Sequence, residues 1–87
     1  MTYRIEVAPR AERALRKLPK VAQKSIDRLF SVLAENPRPP GCSKLIGEER
    51  AYRVRAGDYR VVYELYDDRL VVLVVRVAHR REVYRGL

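Results

Sequence analysis

The chain has 87 residues, 47% hydrophobic and 34% charged, with 19 Lys and Arg against 11 Asp and Glu, for a formal net charge of +8. That size suits one modest core, expected as a single domain over residues 1–87, and the composition excludes a disordered chain. The longest apolar run, Leu70–Val75, falls far short of the roughly 20 residues that span a bilayer, which excludes a transmembrane helix.

No apolar secretory segment follows the N-terminus MTYRIEVAPR, and a lone Cys42 forms no internal disulfide. The expectation is therefore a cytoplasmic protein without membrane contact. A charge of +8 on so small a body favours polyanionic partners, either nucleic acid or acidic protein. Basic residues occur in both halves of the chain, so their number alone does not locate a site.

In chain order, Tyr3–Val7 alternates as a short strand, with Tyr3, Ile5 and Val7 on one side and Arg4 and Glu6 on the other. Pro9 suits the first turn of a helix, and Ala11, Ala14, Leu15 and Leu18 follow as one buried stripe until Pro19 closes it. A second helix is predicted from about Lys20, burying Ala22, Ile26, Leu29, Phe30 and Leu33 and stopping at Asn36-Pro37. Residues Asn36–Gly47 read as a surface loop rich in Pro and Gly.

Three strands follow. Tyr52 and Val54 alternate with Arg53 and Arg55; after the turn-prone Ala56-Gly57-Asp58, Tyr59, Val61, Tyr63 and Leu65 alternate with Arg60, Val62, Glu64 and Tyr66. Matching apolar to apolar sets Val54 opposite Val61 and Tyr52 opposite Tyr63. Strand parity then forces Arg55 opposite Arg60. Like charges facing each other are unfavourable in a sheet unless an anion sits between them.

A two-residue loop at Asp67-Asp68 would place Val75 opposite Arg60, and a three-residue loop with a bulge would place Arg76 there; the sequence leaves both open. The near-continuous apolar run Leu70–Val77 implies a central strand. The predicted fold class is α+β: an N-terminal strand, a two-helix hairpin, then antiparallel strands. Helices cover one face and a basic concavity forms the other.

The residue inventory narrows the chemistry. One histidine, His79, and one cysteine, with no spaced carboxylate cluster, give no metal signature, and no Gly-rich phosphate loop is present, so no cofactor is expected. Phosphodiester chemistry without metal remains. On RNA, the substrate's own 2′-hydroxyl can be the nucleophile, leaving the protein to accept its proton and stabilise the crowded phosphorane. Arginine suits the second task through its bidentate fork. Tyr84, flanked by Arg80, Arg81 and Arg85, has neighbours of the sign that favours ionisation of a phenol.

The segments YRVRAGDYRVVYE and RVAHRREVYR, preceded by an N-terminal strand, two helices ending in ENPRPPG and then the KLIG segment, resemble the RelE/ParE toxin superfamily of prokaryotic type II toxin–antitoxin systems. The resemblance covers essentially the whole chain. It implies a RelE-like fold and a ribosome-dependent endoribonuclease that cuts mRNA in the A site. It also implies an acidic, RelB-like antitoxin that binds the toxin in a hetero-oligomer.

By motif, the resemblance places the phosphate-stabilising arginine at Arg60, a charge-stabilising or leaving-group arginine at Arg80, and the proposed general base at Tyr84. Arg53 and Arg55 fall where the best-known branch has lysines, a departure that makes them binding rather than proton-carrying groups. Arg76, Arg81 and Arg85 complete the expected RNA-binding set. The segment between Arg80 and Tyr84 is shorter than in some relatives, so Arg81 competes with Arg80 for its role. The alternative within the superfamily is a ParE-like inhibitor of DNA gyrase without nuclease activity.

Overall fold

The computed structural model describes residues 2–79, and the elements run β1 (Arg4–Val7), α1 (Pro9–Arg16), α2 (Lys20–Glu35), β2 (Ser43–Lys44), β3 (Ala51–Ala56), β4 (Tyr59–Tyr66) and β5 (Val71–His79). The five strands form one sheet in the order β1-β5-β4-β3-β2. β1 lies parallel to β5, and every other neighbouring pair is antiparallel. The α+β architecture expected from the sequence is present, with β5 an interior strand between β1 and β4 and the helices against one face of the sheet.

Both helices form where the apolar stripes predict them. Pro9 occupies the start of α1, where its missing N–H costs no helical bond. Ala11 in α1 and Ala22, Ile26 and Leu33 in α2 are buried. Ala11, Ile26 and Leu33 pack on Val54, Val61, Tyr63, Leu65, Val72, Val74 and Val77, which all project from one face of the sheet into a continuous core. Ile26 and Leu33 are wholly inaccessible, and each such side chain contributes about 1.5–3 kcal/mol of transfer free energy.

The first hairpin has the register forced by its alternation: Val54 faces Val61, Tyr52 faces Tyr63 and Arg55 faces Arg60. Its loop is Gly57-Asp58, between the paired Ala56 and Tyr59, and Gly57 at φ 62° supplies the positive dihedral that a glycine-first two-residue turn requires.

The second hairpin differs from both expected forms. Its loop takes four residues, Asp67–Leu70, with Leu70 in the left-handed region at φ 54°, so Tyr66 pairs with Val71. A bulge then shifts the register between Val62 and Tyr63: Tyr63 faces Val74 but Val62 faces Arg76, leaving Val75 as the extra residue. Arg60 therefore faces Ala78, neither Val75 nor Arg76. The apolar run carries no alternation that could have revealed the slip.

The Asn36–Gly47 segment also departs from a plain loop. Ser43 and Lys44 pair with Arg53 and Tyr52 as the short edge strand β2. Pro37 and Pro39 are buried, and the Tyr63 hydroxyl donates to the Pro37 carbonyl at 2.7 Å. Burial pushes the Tyr63 phenol well above its ordinary value. It stays protonated and serves as a permanent donor. We expect Tyr63→Phe to strand that buried carbonyl and cost about 1–2 kcal/mol of stability, measured as a lower urea midpoint with an unchanged slope.

Candidate nucleic-acid interface

The sheet face away from the helices is built by the same parity that builds the core. With Val54, Val61 and Val77 on the helix side, Arg55, Arg60 and Ala78 make one cross-strand row on the open side. Two residues further along, Ser43, Arg53, Val62 and Arg76 make the next row. The rows lie roughly 7 Å apart and neighbouring strands about 4.8 Å apart. Arg53, Arg55, Arg60 and Arg76 thus spring from one patch spanning β3, β4 and β5.

The bulge at Val75 is what brings Arg76 into that patch. Without the extra residue, Arg76 would share a face with Val74 and point into the core. After the bulge its partner is Val62, on the open face.

The four arginines are not equivalent. Arg55 is exposed, Arg53 and Arg76 are half-buried, and Arg60 is 9% exposed, the buried charged residue of the described chain. Arg53 donates from Nε to the Ser43 hydroxyl at 3.2 Å, which steadies it on the β2 edge. Unit charges about 7 Å apart at an effective dielectric of 20 repel by roughly 2 kcal/mol. A bound anion relieves that repulsion, and a phosphate presents oxygens that a guanidinium fork can grip in pairs.

Arg53, Arg55, Arg60 and Arg76 are therefore brought together, while Arg80, Arg81, Tyr84 and Arg85 lie outside the described residues. His79 falls elsewhere. It pairs with Tyr59 on the helix side, where the rings meet edge to face at 5.5 Å. Among the described residues no three His, Cys, Asp or Glu groups lie where they could hold a metal ion. No described helix is long and apolar enough to cross a membrane.

At the far end of β4 the open face changes character. Tyr66 donates its hydroxyl to Glu64 at 2.7 Å, and the guanidiniums of Arg50 and Arg69 lie 4.9 and 5.4 Å from its ring centre. Beside it, Arg38 grips Asp67 with Nη2 at 2.8 Å and Nη1 at 3.3 Å, while the Tyr3 hydroxyl donates to the same carboxylate at 2.6 Å. Arg38 also donates to the Tyr52 hydroxyl at 3.2 Å and covers its ring. This cluster ties the proline-rich segment and β1 to the second hairpin. In the sequence Asp67 reads only as a turn residue, because partners 64 and 29 residues away leave no local signal.

These features coincide with known proteins. The sequence profile described as the ParE toxin of type II toxin–antitoxin systems, parDE, matches residues 5–84. The toxin RelE of Mycobacterium tuberculosis is 33% identical over 84 residues, covering 95% of this chain and 87% of its own. The protein named mRNA interferase toxin RelE in Escherichia coli K12 is 32% identical over 88 residues, covering 97% and 92%. The toxin fold in the RelE–RelB complex of Pyrococcus horikoshii superposes with a TM-score of 0.82 at 30% identity, over 92% of this chain and 97% of that one. The chain belongs to the RelE/ParE family: it is a RelE-like toxin of a type II toxin–antitoxin system.

The Asp67 cluster makes a pH prediction. Hydrogen bonds from Arg38 and then from Tyr3 hold the Asp67 carboxyl below the usual carboxylate range. A carboxyl lowered in the folded state stabilises fully above its unfolded value of about 3.9, and loses that contribution as pH falls toward the folded value. Both partners are half-exposed, so solvent screening makes the effect modest. Asp67→Asn is expected to be less stable than the parent at neutral pH, with the gap closing as pH falls below the unfolded carboxylate value of about 3.9 in urea titrations.

Proposed function

We propose that this toxin is a metal-independent endoribonuclease that cleaves mRNA in the ribosomal A site and so halts translation in the cytoplasm. The observation that carries the reading is the pair of arginine rows on the helix-free face, Arg55 and Arg60 on one and Arg53 and Arg76 on the next. The mRNA interferase name of the Escherichia coli relative supports the same activity.

In this mechanism Arg60 stabilises the scissile phosphate. Its guanidinium sits in a mostly water-excluded setting, where a fixed charge acts more strongly on a developing phosphorane than it would in bulk solvent. Arg53, Arg55 and Arg76 hold the flanking phosphates. The 2′-hydroxyl of the substrate attacks, Tyr84 accepts its proton, and Arg80 stabilises charge or supplies the proton to the departing 5′-oxygen. Arg81 and Arg85 add backbone contacts.

The cognate partner is an acidic, RelB-like antitoxin that masks the basic surface in a toxin–antitoxin hetero-oligomer. The RelE–RelB assembly of the Pyrococcus horikoshii relative supports that pairing. The ParE description of the matching family profile favours one alternative, a gyrase inhibitor that cuts no RNA.

Primer extension on mRNA in a translation extract separates the two. Breaks within A-site codons are expected; intact mRNA together with loss of gyrase supercoiling would replace this reading with the alternative. Arg60→Ala is expected to lower single-turnover cleavage about 10²–10³-fold and to relieve growth arrest, with the circular dichroism spectrum retained. Tyr84→Phe should reduce the cleavage rate more than ribosome affinity. Ribosome binding should weaken steeply with added salt as phosphate contacts release counterions, and a salt-insensitive complex would point to a protein target.

A further inference from the structure

The open face of the sheet continues past the arginine rows. The next cross-strand row holds Ala51, Glu64, Leu73 and Glu6, and the row after it Tyr66, Val71 and Arg4. Glu6 is neutralised by Arg4 at 2.7 Å. Glu64 takes part in no ion pair among the described residues. Its flanks are apolar, with buried Ala51 on β3 and half-buried Leu73 on β5.

A carboxylate in line with four arginines does not suit a surface that only holds phosphate. Glu64 lies two residues beyond Val62 on the same face, about 7 Å from the row of Arg53 and Arg76. There it repels a backbone phosphate and attracts hydrogen-bond donors. A strand that crosses this row must turn a base toward it.

Tyr66 completes the arrangement. Its hydroxyl donates to Glu64 Oε1 at 2.7 Å, and that bond raises the phenol above its ordinary value, so the donor persists at neutral pH. The carboxylate is thereby pinned, while Oε2 accepts no hydrogen bond among the described residues. The guanidiniums of exposed Arg50 and Arg69 lie 4.9 and 5.4 Å from the centre of the ring. An aromatic ring, guanidinium planes and a hydrogen-bonding edge are the parts by which proteins hold an unpaired base. Arg60 and Tyr66 are six residues apart on β4, about 20 Å, so this base belongs to a nucleotide beyond those at the arginine rows.

We propose that Glu64 and Tyr66 form a nucleobase subsite: Tyr66, with Arg50 and Arg69, stacks the base, and Glu64 accepts from an amino group on its pairing edge. The subsite takes cytosine, whose N4 amino group donates, and rejects uracil, whose O4 turns a second acceptor toward the carboxylate. The inference rests on the reading of an RNA-directed toxin and adds to it a selection for sequence at a distance from the cut.

The probes are short labelled oligo(C) and oligo(U) strands with 2′-O-methyl groups, which leave no hydroxyl to attack and so report binding apart from cleavage. In fluorescence anisotropy the parent should hold oligo(C) about 10-fold more tightly than oligo(U). Glu64→Gln should erase that preference by tightening oligo(U), because its amide offers both a donor and an acceptor and the negative charge has gone. Tyr66→Leu should weaken both strands about 10-fold. An unchanged thermal midpoint is the folding control for each variant.

Equal affinity of the parent for the two strands would overturn the proposal. So would a cytosine preference that survives Glu64→Gln, or a Glu64→Gln variant that loses both strands alike, which would make the residue structural. A parent that binds neither strand would remove the subsite together with the RNA-directed reading. A cytosine preference that depends on Glu64, with mRNA left uncut on ribosomes, would uphold the subsite and remove the nuclease reading instead.

Discussion

Strand parity is the constraint on which the rest of the molecule depends. Burying Val54 against Val61 and Tyr52 against Tyr63 leaves the chain no choice about the other face. Each apolar pair that builds the core fixes an arginine in between, pointing the opposite way. Arg55 and Arg60 face each other on the open side because their neighbours Val54 and Val61 pair on the helix side. Core formation and the assembly of a phosphate-binding surface are thus one event, and neither can be reached in another register.

Much of this was legible before the structure. The two helices, their buried stripes and the first hairpin follow from periodicities that are strong and local. The second hairpin was not legible, for a definite reason. Leu70–Val77 reads as nearly unbroken apolar sequence, and a run apolar at both parities erases the alternation that reports register. The four-residue turn and the bulge at Val75 have no compositional mark, since both are selected by how β5 fits between β1 and β4. The burial of Arg60 was hidden in the same way, because accessibility depends on the closure of the sheet around it.

The open face is divided along its length. One end is cationic; at the other, Glu64 and Tyr66 meet Arg50 and Arg69, and Glu6 pairs with Arg4, in short-range contacts. At that end the arginines are consumed in holding the loop and turns together, so their charge is internally balanced. Net charge overstates the attraction there and understates it at the arginine rows. Among the described residues the positive charge resolves into two displaced basic regions, one on the sheet and one on the helices, with an anchoring cluster that is close to neutral.

The bulge at Val75 carries a lesson about how such a surface tolerates change. Upstream of it, even-numbered residues of β5 face the helices; downstream, odd-numbered ones do. Excising a single residue there would leave the amino-acid content almost untouched, yet it would turn Arg76 inward and Val77 outward and dismantle two faces at once. Side chains can be exchanged on either face with the register kept, but the number of residues through β5 is fixed by the bulge.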